Sequence, residues 1–367
     1  MSVATSSSNP FIEPPLNTWV ATENDLERYI LSITDRVPPR LLQLAADPSP
    51  ENTRRHLLEY IRDHRVQRSI KEFDSRFGAR AHGPDALATV LRTVRHYHNG
   101  LRGGLLYLSG RITEDTRLER GRRDRIAAAG PLFAAFDEFT DNPHYLVSTV
   151  TPMLHAVWSE SQQQISVDDA LAVLTHKGML RRDPPHLERF YGVIDELVAA
   201  GSMRVTADQM DREDPIDVLP EQALNAWHTR RIITKRPDVS CAGACAFMYG
   251  NESVAGQLYG KLYKGFKRFQ RDYGLSDHAC DYFGDHASED GEDGAPAFEA
   301  SHASLMLDAV ILYAMLEQTN RDAVYRGLHL FLETYADLVE NLSRTLAEDP
   351  RDAAHGQRTA SLQEARA

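Results

Sequence analysis

Residues 243–273 read GACAFMYGNESVAGQLYGKLYKGFKRFQRDY, and this stretch decides the fold class. Met248, Tyr249, Ala255, Tyr259, Leu262, Phe266 and Phe269 recur at helical spacing. That is the period of an α-helix laid against a core, not the alternation of a strand. Glu252 falls inside the same apolar stripe. An ionised carboxylate in a core is costly unless it is paired or bound to a metal.

The segments on either side repeat the helical pattern. A short helix is predicted around Asp277–His286, then an acidic, Gly-rich stretch at Ser288–Gly294. Further helices follow over Pro296–Gln318 and Asp322–Leu346, the last with Val324, Leu328, Phe331, Tyr335, Leu338 and Leu342 on one stripe. Upstream, His186, Phe190, Val193, Ile194 and Leu197 form a helix that ends at Gly201. Pro184-Pro185 stands just before it, where proline is tolerated at a helix start. Nearer the N-terminus, one stripe carries Leu26, Tyr29, Ile30 and Ile33, a second Leu57, Leu58, Ile61 and Val66, and a third Leu87, Leu91, Val94 and His98. No hairpin signal, internal repeat or Gly-rich phosphate loop is evident. The chain is therefore expected to be all-α. Its expected parts are a flexible tail at 1–20, a helical region at 21–130, a main domain at 131–346 and a disordered tail at 347–367.

Composition narrows the function. The net charge of -12 argues against a nucleic-acid surface. The arginine-rich run Arg117–Arg125 reads as a solvated helix face. No apolar run approaches the length of a membrane span, and the first fifteen residues lack the charged-then-apolar pattern of a secretory signal. Three cysteines, Cys241, Cys245 and Cys280, suit a reducing cytoplasm better than a disulfide framework. Cys241 and Cys245 lie one helical turn apart, but no second Cys/His pair with finger-like spacing follows to complete a zinc site.

Three histidines share the position of Glu252 on apolar faces. His186 begins the stripe of its helix, His302 begins the stripe Met306, Ala309, Leu312, Tyr313 and Leu316, and His286 follows Tyr282 and Phe283. A lone histidine of this kind is more often a core residue bonded to a carbonyl. Four polar residues on four helices that can pack together point instead to a metal held inside a bundle, and oxygen and nitrogen donors suit iron.

These residues carry a resemblance. Pro185-His186-Leu187 with its helix, Tyr249-Gly250-Asn251-Glu252-Ser253, and Tyr282-Phe283-Gly284-Asp285-His286 are similar to three successive signatures of the haem-oxygenase-like diiron oxidases and oxygenases. The likeness covers about residues 170–346. The family's third signature is His-x-x-x-Asp-x-x-His. Here Asp290 stands at its acidic position, but Asp293 stands where the last histidine belongs. An insertion of about nine residues would bring His302 into that role, and Glu299 one turn before it becomes the alternative acid. Ahead of His186, the family's glutamate is replaced; His176 and Asp183 are the available substitutes.

The resemblance implies a haem-oxygenase-like bundle with two Fe(II) ions and O2 as co-substrate. It implies Glu252 as the bridging or chelating carboxylate and His186, His286 and His302 as imidazole ligands. Asp290 or Glu299 would complete the set, with His176 in place of the first acid. Substrates in the family are small amines, amino acids or fatty acids, often in specialised biosynthesis. His329, on the last helix, is expected to lie outside the site. The N-terminal helices are read as part of the bundle, a lid or a contact in a homodimer. The competing expectations are a bundle that has lost its metal and binds a partner, and a metal-free enzyme using histidine as acid or base.

Overall fold

A computed structural model describes residues 20–44, 49–98, 102–121, 131, 186–235, 239–287 and 298–348. Among these residues the secondary structure is helical throughout, without strands. The N-terminal helices are α1 (Val20–Thr34), α2 (Pro39–Leu44), α3 (Pro50–Asp63), α4 (Arg65–Phe77), α5 (Pro84–Thr93) and α6 (Arg102–Thr113). The later ones are α7 (His186–Ala199), α8 (Glu221–Lys235), α9 (Cys241–Arg268), α10 (Asp281–Asp285), α11 (Phe298–Ala314) and α12 (Gln318–Ala347), with short helices between some of them. None of the described helices is long and apolar enough to cross a membrane.

Helix α9 is the centre of the bundle. Ser240 caps it, its hydroxyl accepting from the Gly243 N–H at 3.1 Å. Most of its length is buried on every side, as expected of a helix enclosed by others. It packs against α12, α11 and α4. The approach to α12 is close because Gly327 sits directly on the Gly243 backbone, where a Cβ would overlap it. Farther along, Phe247 meets Phe331 edge-on at 5.3 Å. Helices α1, α4, α5 and α8 pack on α12, so the N-terminal helices contribute to the same hydrophobic core.

The boundaries differ from the sequence reading where local chemistry intervenes. The helix expected over 243–273 ends at Arg268, and a separate turn, Gln270–Tyr273, precedes Gly274 in the left-handed region at φ 71°. The stripe Leu57 to Val66 is two helices rather than one. His64 leaves helical geometry at ψ 152° and accepts the Val66 N–H on its own Nδ1 at 3.2 Å, which starts α4. The stripe through Val94 and His98 passes into a π-helical turn after α5.

Candidate functional site

Glu252 is buried in the middle of α9, and the Asn251 amide donates to its Oε1 at 3.1 Å. His286 is buried at the end of α10, its ring 5.0 Å from that of Tyr259 on α9. Tyr259 is seven residues after Glu252, two turns along the same face, or about 10 Å of helix rise. His286 Nδ1 donates to the Tyr282 carbonyl at 2.5 Å. That bond places the proton on Nδ1 and makes Nε2 the acceptor nitrogen of the neutral ring, which is how protein metal sites hold an imidazole.

Two more helices that carry expected ligands pack near by, α7 on α10 and α11 on α9. Helix α7 runs in the same direction as α9, since Ser202 just past its end donates to the Tyr273 carbonyl at 3.0 Å and Glu196 accepts from Ser276 Oγ at 2.7 Å, both just past the end of α9. Phe190, lying between, packs on Tyr282 at 5.3 Å and on Phe283 at 6.3 Å. The backbone of His186 is therefore one turn beyond these rings, toward Glu252. Helix α11 is antiparallel to α9. Tyr313 near its end lies beside Cys241 at the start of α9. His302 precedes Tyr313 by eleven residues and Glu252 follows Cys241 by eleven. Eleven residues make three turns and return to the same face, so positions 302 and 252 lie equally far along their helices from that contact.

The residues expected to hold metal are thus placed as follows. Glu252 and His286 are both buried, and His286 stands against the rings of Tyr259 and Tyr282. His186, Glu299 and His302 stand on described helices, α7 and α11, with their side chains outside the described residues. His176, Asp183 and Asp290 lie outside the described residues. The three cysteines are buried and unbridged. Burial pushes the thiol of Cys280 up to about 11 and that of Cys245 well above its ordinary value, so neither is a ready thiolate for zinc.

A second polar cluster was not legible in the sequence reading. His64, His329 and Glu333 each bring one donor atom within 4.8 Å of the others. His64 Nε2 is 2.9 Å from Glu333 Oε1. Tyr60 Oη and His329 Nδ1 are 2.5 Å apart, and the Ile33 backbone lies beside the His329 ring. Arg65 Nε donates to Glu333 Oε2 at 2.9 Å, while its other nitrogens reach Asp337 and Glu340. Burial works to raise the Glu333 pKa, but the bonds from His64 and Arg65 and the charge of Arg65 outweigh it and hold it at about 2.

Hydrogen bonding, rather than metal binding, accounts for this cluster. His64 Nδ1 accepts from the Val66 N–H, so the ring proton is on Nε2, pointed at Glu333. A cation on Nε2 would move that proton to Nδ1 and break the cap of α4. It would also sit beside the Arg65 guanidinium, 2.8 Å from the Glu333 carboxylate. The available sequence signal was the run His329, Glu333, Asp337, Glu340: four polar residues on one face of an otherwise apolar helix. Their partners are in α3 and α4, more than 260 residues away.

No family model matches the chain, and no curated protein matches it.

Proposed function

We propose that the chain is a non-haem iron enzyme that activates O2, built on a haem-oxygenase-like bundle. Glu252 and His286 are the nucleus of its metal centre. His186 and His302 complete it with an acid from Asp290 or Glu299 and a further ligand from His176. The observation that carries this reading is the burial of Glu252 in the middle of α9 and of His286 against Tyr259 of the same helix, each an ionisable group in an otherwise apolar interior.

The donor chemistry fits iron or manganese: carboxylate oxygen and imidazole nitrogen, with the thiols held protonated elsewhere. Two ferrous ions held there would supply the electrons and open positions that O2 reduction requires. The chain's own residues do the rest. The Tyr282 carbonyl fixes the His286 ring, and the Asn251 amide orients Glu252. Phe190, Tyr259, Tyr282 and Phe283 form a continuous aromatic wall that excludes water from beside the ligands. The substrate class is a small amine, amino acid or fatty-acid-like molecule, and the setting is specialised biosynthesis in the cytoplasm.

Anaerobic titration of the apoprotein with Fe(II), followed by O2 uptake, tests the proposal. Wild type is expected to bind two equivalents and consume O2. Glu252→Ala and His286→Ala lose tight binding, whereas His329→Ala retains it. Loss in His329→Ala with retention in Glu252→Ala would move the centre to the His64 cluster and overturn the assignment. Equal iron content in all the proteins would do the same.

A further inference from the structure

The cleft beside the His64 cluster has the features of a binding site in its own right. It has a volume of about 370 Å³ and lies between the end of α1, α2, the junction of α3 and α4, and α12. Ligand pockets begin at about this size. Tyr60, His64 and His329 line it together with Ile33 and Pro38, giving it aromatic and apolar surface with hydroxyl and imidazole groups at fixed points.

Its charge is unusual for a chain of net charge -12. Three arginines line it, Arg36, Arg40 and Arg65, against two carboxylates, Asp63 and Glu333. Both carboxylates already have a cation. Arg62 Nε donates to Asp63 at 3.0 Å, and Arg65 holds Glu333. Arg65 is itself engaged by Glu333, Asp337 and Glu340. No hydrogen bond or ion pair to another described residue engages the guanidinium of Arg36 or Arg40. Arg40 lines the cleft together with Tyr60, and its charge acts on the Tyr60 phenol. Two uncommitted guanidinium groups at the mouth of an apolar cleft favour an oxyanion, which they can grip with paired N–H donors.

We propose that this cleft binds a small organic oxyanion, its carboxylate or phosphate head held by Arg36 and Arg40 and its apolar body seated on Tyr60, Ile33 and Pro38. The site is independent of the proposed metal centre. His329 points toward α3 and α1, whereas Phe331 on the same helix packs on α9.

Calorimetric titration at constant ionic strength, with benzoate and with inorganic phosphate as separate probes, tests this. At least one probe is expected to bind saturably with one-to-one stoichiometry, and the stronger probe identifies the head group. The double variant Arg36→Gln/Arg40→Gln is expected to weaken that binding at least tenfold. Arg55→Gln, on the exposed side of α3, is expected to leave it unchanged. Both cleft arginines are exposed, so the double variant should melt with wild type, and a thermal scan checks this. Absence of saturable binding by either probe overturns the proposal. So does wild-type affinity in the double variant, which would show only a diffuse attraction.

Discussion

His64 Nε2 stands 2.9 Å from Glu333 Oε1, while the same ring caps α4 through Nδ1. One side chain thus breaks the helix that the apolar stripe alone would have continued, and ties the new helix to α12. Replacing it removes a cap, worth about 1 kcal/mol, and a buried hydrogen bond to a charge, worth about 1.5–3 kcal/mol. Arg65 remains on Glu333, which limits the loss. His64→Ala is expected to lower stability by about 2–3 kcal/mol in urea unfolding. His278→Ala removes an exposed pair with Asp281 and should change little. Equal effects of the two substitutions would refute the coupling role of His64.

His329 gives the bundle an acid sensitivity with a defined window. Burial pushes its pKa down, to about 4, against about 6.5 in an unfolded chain. Above pH 6.5 both states are neutral and the group is silent. As pH falls from 6.5 toward 4 the unfolded state takes up the proton first, so stability falls, by up to about 1.4 kcal/mol per pH unit per proton. Below 4 the loss is complete. His228, also pushed to about 4 by burial and Arg231, adds a parallel term. His329→Gln should flatten the fall of unfolding free energy between pH 6.5 and 4, leaving the share due to His228. An unchanged slope in urea melts across that range would contradict it.

Helix content was legible because long apolar stripes at 3.6-residue spacing have one reading, and α9 and α12 appear close to where those stripes lie. Breaks within a stripe were less legible. The His64 cap is a local bond between a side chain and a backbone N–H two residues on, and periodicity carries no trace of it. Glu252 and His286 were readable as polar residues on apolar faces, and both are buried. The His329–Glu333 face offered the same kind of signal, but its meaning depended on Tyr60, His64 and Arg65. Pairings between residues so far apart follow from the packing of α3 and α4 on α12, which spacing within one helix does not encode.

The crossing of α9 and α12 depends on two glycines. A Cβ at position 327 would fall on the Gly243 carbonyl, which belongs to helical backbone and cannot swing aside. Gly327→Ala is expected to cost about 3 kcal/mol or more, since the helices must separate. At Gly192 on α7, an added Cβ would meet nothing within 4 Å. There alanine should stabilise by up to about 1 kcal/mol through helix propensity. Opposite signs in paired thermal melts are the expected result, and a mild effect at 327 would mean that α9 and α12 are farther apart.

Tyr313 sits where the end of α11 meets the start of α9. It lies beside Cys241 and donates to Asp115 Oδ2 at 3.3 Å. Burial raises the Cys241 thiol as well, so the native protein should give little reaction with a thiol reagent at pH 8, and all three cysteines should react in urea. Tyr313→Phe keeps the ring and loses the bond to Asp115, at about 1 kcal/mol, with the thiols still protected. Tyr313→Ala opens a cavity beside Cys241, and one thiol should become reactive under native conditions. If Tyr313→Ala left all three thiols masked, Tyr313 would not cover Cys241. The antiparallel course of α9 and α11 would then lose its anchor at Cys241.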